Sequence, residues 1–379
     1  MRKIRIAHIN NIAQLSGSQA VSIEILNALP DSKYEKYIIC GHHKSGYNEF
    51  KVSCEAVNIN CIIMDNQLRQ ISFRDLLYFK ELYKLIKTKQ FDIVHTNSTK
   101  PGLVGRMAAK LADVPLILHT IHGITFHRNN SIFKRIPLYL FDLFGTFFCD
   151  YQVLVNKYYQ KYYSWIPWIK TITIYNGISI NDSILADIHR VKLVNNKFTV
   201  LFIGRLEAQK DPLTFLKSIQ YLKTLSPDIF QQISFRVIGE GDLFSKCSDY
   251  ITNNILGPNV SLEDWTNEKW SAISNANIIC APSIYEAFGL VFLEAGICRV
   301  PVIATCVEGI PEVVIHSKTG FLIKPGCFTE MANYILQLYN DRSLLAWMGN
   351  NSYERVSTEF KISTSTRAYQ KIYENLKIE

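Results

Sequence analysis

Short apolar segments of strand length alternate with segments of helical periodicity along almost the whole chain. This alternation predicts parallel β-sheets covered by helices, because successive parallel strands need a crossover connection that is usually a helix. The strands predicted in the first half are Ile4–Ile9, Tyr37–Cys40, Cys61–Met64, Ile93–His95, Leu116–Thr120, Tyr151–Val155 and Thr171–Tyr175. Those in the second half are Phe198–Ile203, Ile233–Ile238, Val260–Leu262, Ile278–Ala281, Val302–Ala304 and Phe321–Ile323. Predicted helices include Phe73–Lys87, Leu103–Leu111, Pro212–Leu225 and Leu290–Ile297.

Two such series in 379 residues predict two domains, because single cores stop growing below this length. The turn dipeptide Asn176-Gly177 and the polar stretch that ends at residues 195–197 place the linker between the two series. The predicted domains are residues 1–185 and 186–350, and residues 351–379 form a C-terminal helical segment. Two doubly wound domains that face each other leave a cleft at the carboxyl ends of both sheets, where ligands bind.

The bulk composition limits which classes of partner and which cellular compartment we expect for this chain. A net charge of +8 and a pI near 8.9 favour an anionic partner, while the absence of a run of Lys and Arg disfavours nucleic acid. The nine cysteines form no C-x-x-C pair and several lie in apolar runs, which is typical of reduced cytosolic thiols and not of a zinc site. The first residues are typical of a strand, not of a signal peptide, and no apolar run reaches about 18 residues. We therefore expect a cytosolic chain that does not span a membrane.

Two glutamates, Glu286 and Glu294, lie eight positions apart around Phe288, Gly289 and Leu290. A glycine turn that runs into an apolar helical segment leaves backbone N–H groups free to hold an anion. The flanking carboxylates can contact hydroxyl groups on either side of that anion. This combination suits a nucleotide sugar, which has a pyrophosphate between two hydroxyl-bearing rings.

A second candidate segment, Gly204–Asp211, directly follows a predicted strand. Gly204 permits a turn, and Arg205 and Lys210 then lie at the carboxyl edge of the sheet. A planar guanidinium and a compact ammonium together suit a pyrophosphate.

These two segments resemble the E-x7-E and G-R-L-x-x-x-K-G motifs of the retaining, family-four glycosyltransferases of bacterial surface-polysaccharide synthesis. Asp211 stands where that family usually has glycine. The resemblance covers nearly the whole chain and is strongest over residues 198–312. It implies the GT-B fold, in which two Rossmann-like α/β domains face each other across a cleft and the C-terminal helix packs back on the first domain.

Three further glycine or histidine positions gain an expected role from the resemblance. Gly239 belongs to a glycine-rich loop that the family places near the nucleotide base. The loop is a weak match to the dinucleotide-binding fingerprint G-x-G-x-x-G, since Phe244 stands where the third glycine belongs. His122 matches the histidine that reaches the donor sugar, with His95 and His119 as packing or orienting groups. Gly17 remains from a glycine pair near the diphosphate. Glu263 stands where glycine is usual near the base, so the base is left open.

No D-x-D segment occurs in the sequence, and neither a P-loop nor a G-x-S-x-G motif is present. Metal-dependent sugar transferases use D-x-D to hold a divalent ion against the diphosphate. We therefore expect neither a metal nor another cofactor, with Arg205, Lys210 and helix N-termini neutralising the diphosphate.

Two aromatic-rich stretches bear on the acceptor. The first, residues 132–148, fits either a membrane interface or an amphipathic core helix. The second, residues 157–170, mixes Tyr and Trp with Lys157, Lys161 and Lys170, which suits an anionic membrane surface. This composition predicts a peripheral attachment of the first domain.

The resemblance implies a metal-independent, retaining transferase that moves a sugar from a nucleotide-diphosphate sugar, most simply a UDP-sugar. The expected acceptor is a saccharide or a polyprenyl-linked saccharide at the inner face of the bacterial plasma membrane. Arg205 and Lys210 would stabilise the leaving diphosphate, Glu286 would bind the sugar and Glu294 the ribose. Two alternatives stay open: a sugar-nucleotide epimerase of the same fold, and a non-catalytic nucleotide-sugar binding protein. The sequence does not specify the sugar, the linkage or the oligomeric state.

Overall fold

The computed structural model describes residues 2–14, 17–42, 47–67, 73–127, 130–180, 197–266 and 268–376, and the chain divides into two compact units. The first unit is Met1–Gly177 together with Ile362–Glu379, and the second is Ile178–Lys361. The predicted boundary at 185/186 lies outside the described residues. The predicted boundary at 350/351 lies inside a helix of the second unit, Arg342–Glu359.

The first unit is built on a seven-stranded parallel sheet in the order β3-β2-β1-β4-β5-β6-β7. Its strands are β1 (Ile4–Ile12), β2 (Tyr34–Gly41), β3 (Asn60–Met64), β4 (Ile93–Asn97), β5 (Leu116–Ile121), β6 (Tyr151–Leu154) and β7 (Lys170–Thr173). Its first helices are α1 (Gly17–Asn27), α2 (Tyr47–Glu55), α3 (Arg74–Lys89), α4 (Thr99–Leu111), α5 (Ile132–Gly145) and the single turn α6 (Gln160–Tyr163). The strand order reverses between β1 and β4, which is where a doubly wound sheet binds its ligands.

The second unit has a six-stranded parallel sheet in the order β10-β9-β8-β11-β12-β13. Its strands are β8 (Phe198–Ile203), β9 (Ile233–Ile238), β10 (Val260–Glu263), β11 (Ile278–Ala281), β12 (Val302–Thr305) and β13 (Gly320–Ile323). Its helices are α7 (Pro212–Leu225), α8 (Pro227–Gln232), α9 (Phe244–Asn253), α10 (Lys269–Ser274), α11 (Leu290–Ile297), α12 (Ile310–Val313), α13 (Phe328–Asn340) and α14 (Arg342–Glu359). Here the order reverses between β8 and β11.

The last helix, α15 (Ile362–Tyr373), belongs to the first unit. Its Tyr373 hydroxyl lies 2.7 Å from His95 Nδ1 and 3.1 Å from His8 Nε2, and all three side chains are buried. Tyr369 hydrogen-bonds Thr120 at 3.2 Å. A buried network of hydrogen bonds therefore links α15 to strands β1, β4 and β5.

Inner strands such as β8, β11 and β12 are buried because helices cover both faces of the sheet, which explains their near-continuous apolar sequences. The edge strands β3, β7 and β10 are partly exposed. In the second unit, Val200, Phe235, Ile278 and Ile303 lie in one core and are at most 1 % exposed. The predicted α/β class is confirmed, and each predicted strand is present with ends within three residues of those observed. Helices α7 and α11 begin and end where the sequence predicts.

Six of the nine cysteines are buried and Cys306 is exposed, and no disulfide joins cysteines in the described part of the chain. Within the described ranges, none of the helices is both long and apolar enough to cross a membrane.

Candidate functional site

The loop after β8 and the loop after β9 pack together backbone to backbone at the carboxyl edge of the second sheet. The Gly204 N–H donates to the Ile238 carbonyl at 3.0 Å, and the Leu206 N–H donates to the Glu240 carbonyl at 2.8 Å. A Cβ atom on Gly239 would lie 1.9 Å from the Gly204 carbonyl oxygen. Glycine is required at 239 because two backbones meet there, which gives the glycine-rich segment a structural role in positioning the loop that carries Arg205.

Arg205 presents a half-exposed guanidinium from this loop. Its Nη1 lies 2.7 Å from Glu207 Oε2, and its Nη2 donates to Gln209 Oε1 at 3.1 Å. Gln209 in turn donates through Nε2 to the Tyr285 carbonyl at 3.1 Å, and its own carbonyl accepts from the Ile284 N–H at 2.8 Å. Gln209 thus joins the basic loop to the segment that precedes Glu286, a connection that no sequence motif indicates.

Lys210 forms an ion pair with Glu286, in which Nζ donates to Oε2. Both side chains are largely buried, with 22 % and 13 % of their surface exposed. The Glu286 carbonyl also accepts from the Gly309 N–H at 3.2 Å, which ties in the loop after β12. The structure therefore brings together the two segments that the sequence predicts to share one site.

Asp211, the departure from the family's glycine, has a local explanation. Its backbone is left-handed, with φ 48° and ψ 55°, a conformation that Asp tolerates better than most residues. It is also the N-cap of α7: its carboxylate accepts from the Thr214 N–H at 3.3 Å and from the Thr214 hydroxyl at 2.6 Å. Asp211 thus keeps the turn that glycine would allow and adds a helix cap.

Gly289 occupies the N-cap position of α11 with φ +79°, and a Cβ there would lie 2.3 Å from the Phe292 ring. Glycine is needed for both reasons. Phe288 is 2 % exposed and packs edge-on against Phe360, with ring centroids 5.7 Å apart. Leu290 begins the helix, whose first N–H groups have no carbonyl partner inside the helix. The predicted backbone anion site is thus built on a rigidly held turn.

Glu294 lies on α11 and forms an ion pair with Lys269 of α10, with Nζ 2.6 Å from Oε1. The carboxylate is 14 % exposed and the lysine 38 %. Nothing in the sequence marks Lys269 as a site residue, because it lies 25 residues from its partner and belongs to no recognisable motif. Both glutamates of the site are therefore paired with a lysine from another element.

Glu263, where glycine is usual, ends β10 and binds Arg236 through two hydrogen bonds of 2.8 and 2.5 Å. Ser261 donates a third to the same carboxylate at 2.6 Å. The Arg236 guanidinium lowers the pKa of Glu263, so the carboxylate is ionised at neutral pH. The Glu263 carbonyl accepts from the Gly239 N–H at 3.0 Å, which places this ion pair beside the glycine-rich loop.

In the first unit, His122 follows β5 and its Nε2 lies 2.9 Å from Asn97 Oδ1. Burial lowers the pKa of His122 to about 4, so the ring is neutral at pH 7. With the Asn97 oxygen as acceptor, Nε2 carries the proton and Nδ1 is an acceptor. Asn97 Nδ2 is buried and has no hydrogen-bond partner among the described residues. A neutral histidine and an amide with unused hydrogen-bonding capacity thus lie together at the carboxyl edge of the first sheet.

The remaining candidates of the first unit are His95, His119 and Gly17. His95 and His119 are buried, and they hydrogen-bond Thr120 and Thr96 at 2.7 and 2.9 Å. Their burial is consistent with the expected packing or orienting role. Gly17 is the exposed first residue of α1.

No cluster of three His, Cys, Asp or Glu side chains that could hold a metal ion occurs among the residues that the structure describes. The charged groups gathered at the second sheet are instead Arg205, Lys210 and Lys269 with their carboxylate partners. The arrangement supplies cations, oriented carboxylates and a helix start around one edge of a parallel sheet. It is suited to binding an anionic, hydroxyl-rich ligand.

Two family profiles match the chain. The profile described as Glycosyltransferase Family 4 matches residues 15–182, and that described as Glycosyl transferases group 1 matches residues 186–355. The chain is 32 % identical to the N-acetyl-alpha-D-glucosaminyl L-malate synthase of Bacillus anthracis, over 79 % of this chain and 78 % of that protein. It is 28 % identical to the UDP-Gal:alpha-D-GlcNAc-diphosphoundecaprenol alpha-1,3-galactosyltransferase of Escherichia coli, over 95 % and 94 %. Identity to the capsular polysaccharide biosynthesis glycosyltransferase CapM of Staphylococcus aureus is 27 %, over 78 % and 82 %.

Solved structures share the fold at lower identity. Anabaena HepE, crystallised with UDP and glucose, superposes with a TM-score of 0.81 at 20 % identity and covers 98 % of this chain and 100 % of its own. WaaG, a glycosyltransferase involved in lipopolysaccharide biosynthesis, gives a TM-score of 0.75 at 14 % identity over 97 % and 99 %.

Proposed function

Because the chain belongs to the family-four, group 1 glycosyltransferases and has the GT-B fold, we propose that it is a retaining, metal-independent transferase. Its donor is a UDP-sugar and its acceptor a lipid-linked saccharide in the synthesis of a cell-surface polysaccharide. The observation that carries this proposal is the convergence of Arg205, Lys210 and Glu286, from segments far apart in sequence, at one edge of the second sheet.

Arg205 and Lys210 stabilise the departing diphosphate as negative charge grows on it. Cations already oriented in a partly buried site need little reorganisation at the moment of reaction, so they favour the transition state over the ground state. Lys210 is held against Glu286 in this structure, and its three donors allow it to bind a phosphate oxygen as well. The start of α11, at Phe288, Gly289 and Leu290, adds backbone N–H groups toward the same anion.

The carboxylates bind hydroxyl groups. Glu286 accepts from hydroxyls of the donor sugar, and Glu294, oriented by Lys269, accepts from the ribose. The Nε2–H of neutral His122 is bound to Asn97, so the ring accepts a hydrogen bond from a sugar hydroxyl at Nδ1. No side chain is assigned as a covalent nucleophile, because attack on the same face as the departing diphosphate needs none.

The choice of UDP and of a lipid-linked acceptor draws on the relatives. The E. coli relative uses UDP-Gal and a diphosphoundecaprenol-linked sugar, and Anabaena HepE binds UDP and glucose. Metal independence draws on the sequence, which lacks a D-x-D segment, and on the cationic groups at the site.

Attachment to the anionic inner face of the plasma membrane completes the proposal. The exposed Lys157, Lys161 and Lys170 of the second aromatic stretch support it, as do the half-exposed rings of Trp165 and Trp168. The same stretch also contributes to the core, because Tyr159 and Tyr163 are fully buried. The surface interpretation of this stretch therefore rests on its Trp and Lys residues and not on those two tyrosines.

The proposal is tested by incubating the purified chain with a panel of nucleotide sugars and a bacterial lipid-linked saccharide extract. We expect transfer from one UDP-sugar, with an α-linked product from an α-linked donor by NMR of the anomeric proton. An inverted anomeric configuration would contradict the retaining mechanism. Isomerisation of the donor without acceptor would favour the epimerase alternative, and binding without turnover would favour a non-catalytic protein.

A further inference from the structure

Helix α5 turns a long apolar stripe toward solvent, while a buried aspartate and the partly buried Leu138, Tyr139 and Leu143 lie on its inner side. The residues that it buries are Asp142 and Gly145. Its exposed large apolar residues are Ile132, Phe133, Ile136, Leu140, Phe141 and Phe144. Four of these recur at intervals of four residues, so they form one stripe along the helix. An ordinary surface helix has the opposite arrangement, with the apolar stripe in the core. The alternative that this stretch is an amphipathic core helix is thus wrong for the exposed stripe, while Leu138, Tyr139 and Leu143 are partly buried.

The inner side of α5 is fixed by buried polar contacts. Asp142 accepts a hydrogen bond from the Tyr163 hydroxyl. Burial raises the pKa of Asp142, while the nearby Arg106 and this hydrogen bond act in the opposite direction. Arg106 is 1 % exposed, and a Cβ on Gly145 would lie 2.4 Å from its Nη2. Rotation of the apolar stripe inward would break the Asp142–Tyr163 hydrogen bond and move the carboxylate away from the buried Arg106.

The apolar surface continues beyond the helix. Phe144 contacts Phe147, with ring centroids 6.5 Å apart, and Phe147 stacks on Trp168 at 4.7 Å and 8°. Trp165 is also half exposed, and its indole N–H donates to the Tyr162 carbonyl at 3.0 Å. We call the nine exposed residues Ile132, Phe133, Ile136, Leu140, Phe141, Phe144, Phe147, Trp165 and Trp168 the α5 face. At about half exposure they present on the order of 800 Å² of apolar surface, more than monomeric proteins usually expose.

The charge around the α5 face indicates what covers it. Residues 131–177 contain five basic residues, Lys134, Arg135, Lys157, Lys161 and Lys170. The acidic residues of the same stretch are Asp142, which is buried, and Asp150. Two copies of this chain joined through the face would bring like charges together. Anionic lipid headgroups complement it instead.

The length of α5 fits a helix that lies in the plane of the bilayer. Its 14 residues extend about 21 Å, which is short of the roughly 30 Å hydrocarbon core. Indole rings that carry one hydrogen-bonded N–H suit the headgroup boundary.

We propose that α5 is an interfacial helix whose apolar face sinks into the headgroup and acyl boundary of an anionic bilayer, with the surrounding lysines bound to lipid phosphates. This rests on the proposed membrane attachment and deepens it by naming the helix that inserts, and it does not depend on the transferase assignment.

The test is partition of the full chain into vesicles of phosphatidylglycerol and phosphatidylcholine, followed by sedimentation and by quenching of tryptophan fluorescence with brominated acyl chains. We expect Phe133→Ser/Leu140→Ser to lower the partition coefficient at least tenfold in 1 M salt, where surface charge is screened. Leu76→Ser/Leu77→Ser on α3 is the matched control, because it removes two similarly exposed apolar side chains from the same unit and should leave partition unchanged. Wild-type fluorescence should be quenched, and Trp165→Phe/Trp168→Phe should remove that quenching.

Thermal unfolding and turnover on a short-chain, water-soluble acceptor should be unchanged in the Phe133→Ser/Leu140→Ser protein, since both side chains face outward. Partition equal to wild type in that variant, with no quenching in wild type, would overturn insertion and leave only surface attachment. A wild-type dimer in solution that the same substitutions dissociate would assign the α5 face to a second copy and overturn the proposal as well. If vesicle binding is as expected but no donor is turned over, the transferase assignment fails and the α5 inference stands.

Discussion

Lys210 and Glu286 lie 76 residues apart in the sequence and form a largely buried ion pair at the carboxyl edge of the second sheet. The ammonium expected to meet the leaving diphosphate thus rests on the carboxylate expected to meet the donor sugar. Donor binding has to share the lysine between two oxyanions, so the two residues act as one unit.

Lys210→Ala should lower kcat by about a hundredfold, which corresponds to about 3 kcal/mol of lost transition-state stabilisation. Arg205→Ala should do the same, because each cation meets the growing charge. The measurement is steady-state transfer with circular dichroism as a check on folding. Because Lys210 and Glu286 act together, the loss of transition-state stabilisation in the double variant Lys210→Ala/Glu286→Gln should be smaller than the sum of the losses in the two single variants. Additive losses, or near-wild-type turnover in both alanine variants, would contradict this assignment.

Transfer should persist in excess EDTA, because side-chain cations and the start of α11 neutralise the diphosphate. Rates in EDTA and in added Mg²⁺ or Mn²⁺ should agree within about twofold. A required ion contributes several kcal/mol of transition-state stabilisation, so its removal would change the rate far more than that. Abolition by the chelator and recovery with either ion would show that the diphosphate is held differently.

Lys269→Met should raise KM for the donor with little change in kcat, because Lys269 orients Glu294 toward the ribose and does not meet the leaving group. Discrimination between UDP and its 2′- and 3′-deoxy analogues is the specific measurement, since a loss of ribose contact should flatten it. Glu294→Gln is the reference variant, and Lys269→Arg should restore part of the preference. If Glu294→Gln flattens the discrimination and Lys269→Met does not, Lys269 has no positioning role.

Asp211→Ala should destabilise the second unit by about 2 kcal/mol, since it removes a helix cap and places Ala at a left-handed φ. Asp211→Asn should be nearly neutral, because Asn caps helices and tolerates that conformation. Asp211→Gly should lie between them. Thermal unfolding ranks the three variants, and an Ala variant as stable as the Asn variant would show that neither effect operates.

Stability of the first unit should fall as the pH drops below 6.5. Burial lowers the pKa of His8 to about 3 and that of His122 to about 4. Between pH 6.5 and 4 the unfolded chain therefore binds protons that the folded chain does not, so the free energy of unfolding rises with pH there. Each histidine contributes about 1.4 kcal/mol per pH unit. Urea unfolding between pH 6.5 and 5 should show this slope, and His122→Gln should reduce it by one histidine's share. An equal slope in the variant would contradict the shift.

Strand and helix positions followed from the sequence because they depend on local apolar periodicity. Segments such as Ile233–Ile238 and Pro212–Leu225 have one arrangement that buries their apolar side chains. The candidate donor residues were also found from the sequence, since Glu286, Glu294, Arg205 and Lys210 belong to motifs of fixed spacing. The capping role of Asp211 was not predicted from the sequence, because the replacement of a motif glycine by Asp does not by itself show which contacts the new side chain makes.

Tertiary structure alone decided which groups pair and which side of an element meets solvent. Lys269 reaches Glu294 only because α10 and α11 pack together. Neither helix has a sequence pattern that predicts this contact. The helical period of residues 132–148 is the same for a core helix and for an interfacial helix. In the structure Asp142 is buried, as is Arg106, and the apolar stripe of α5 faces outward. Periodicity determines that a helix has an apolar side, but the direction of that side depends on the free energy of burying the groups opposite to it.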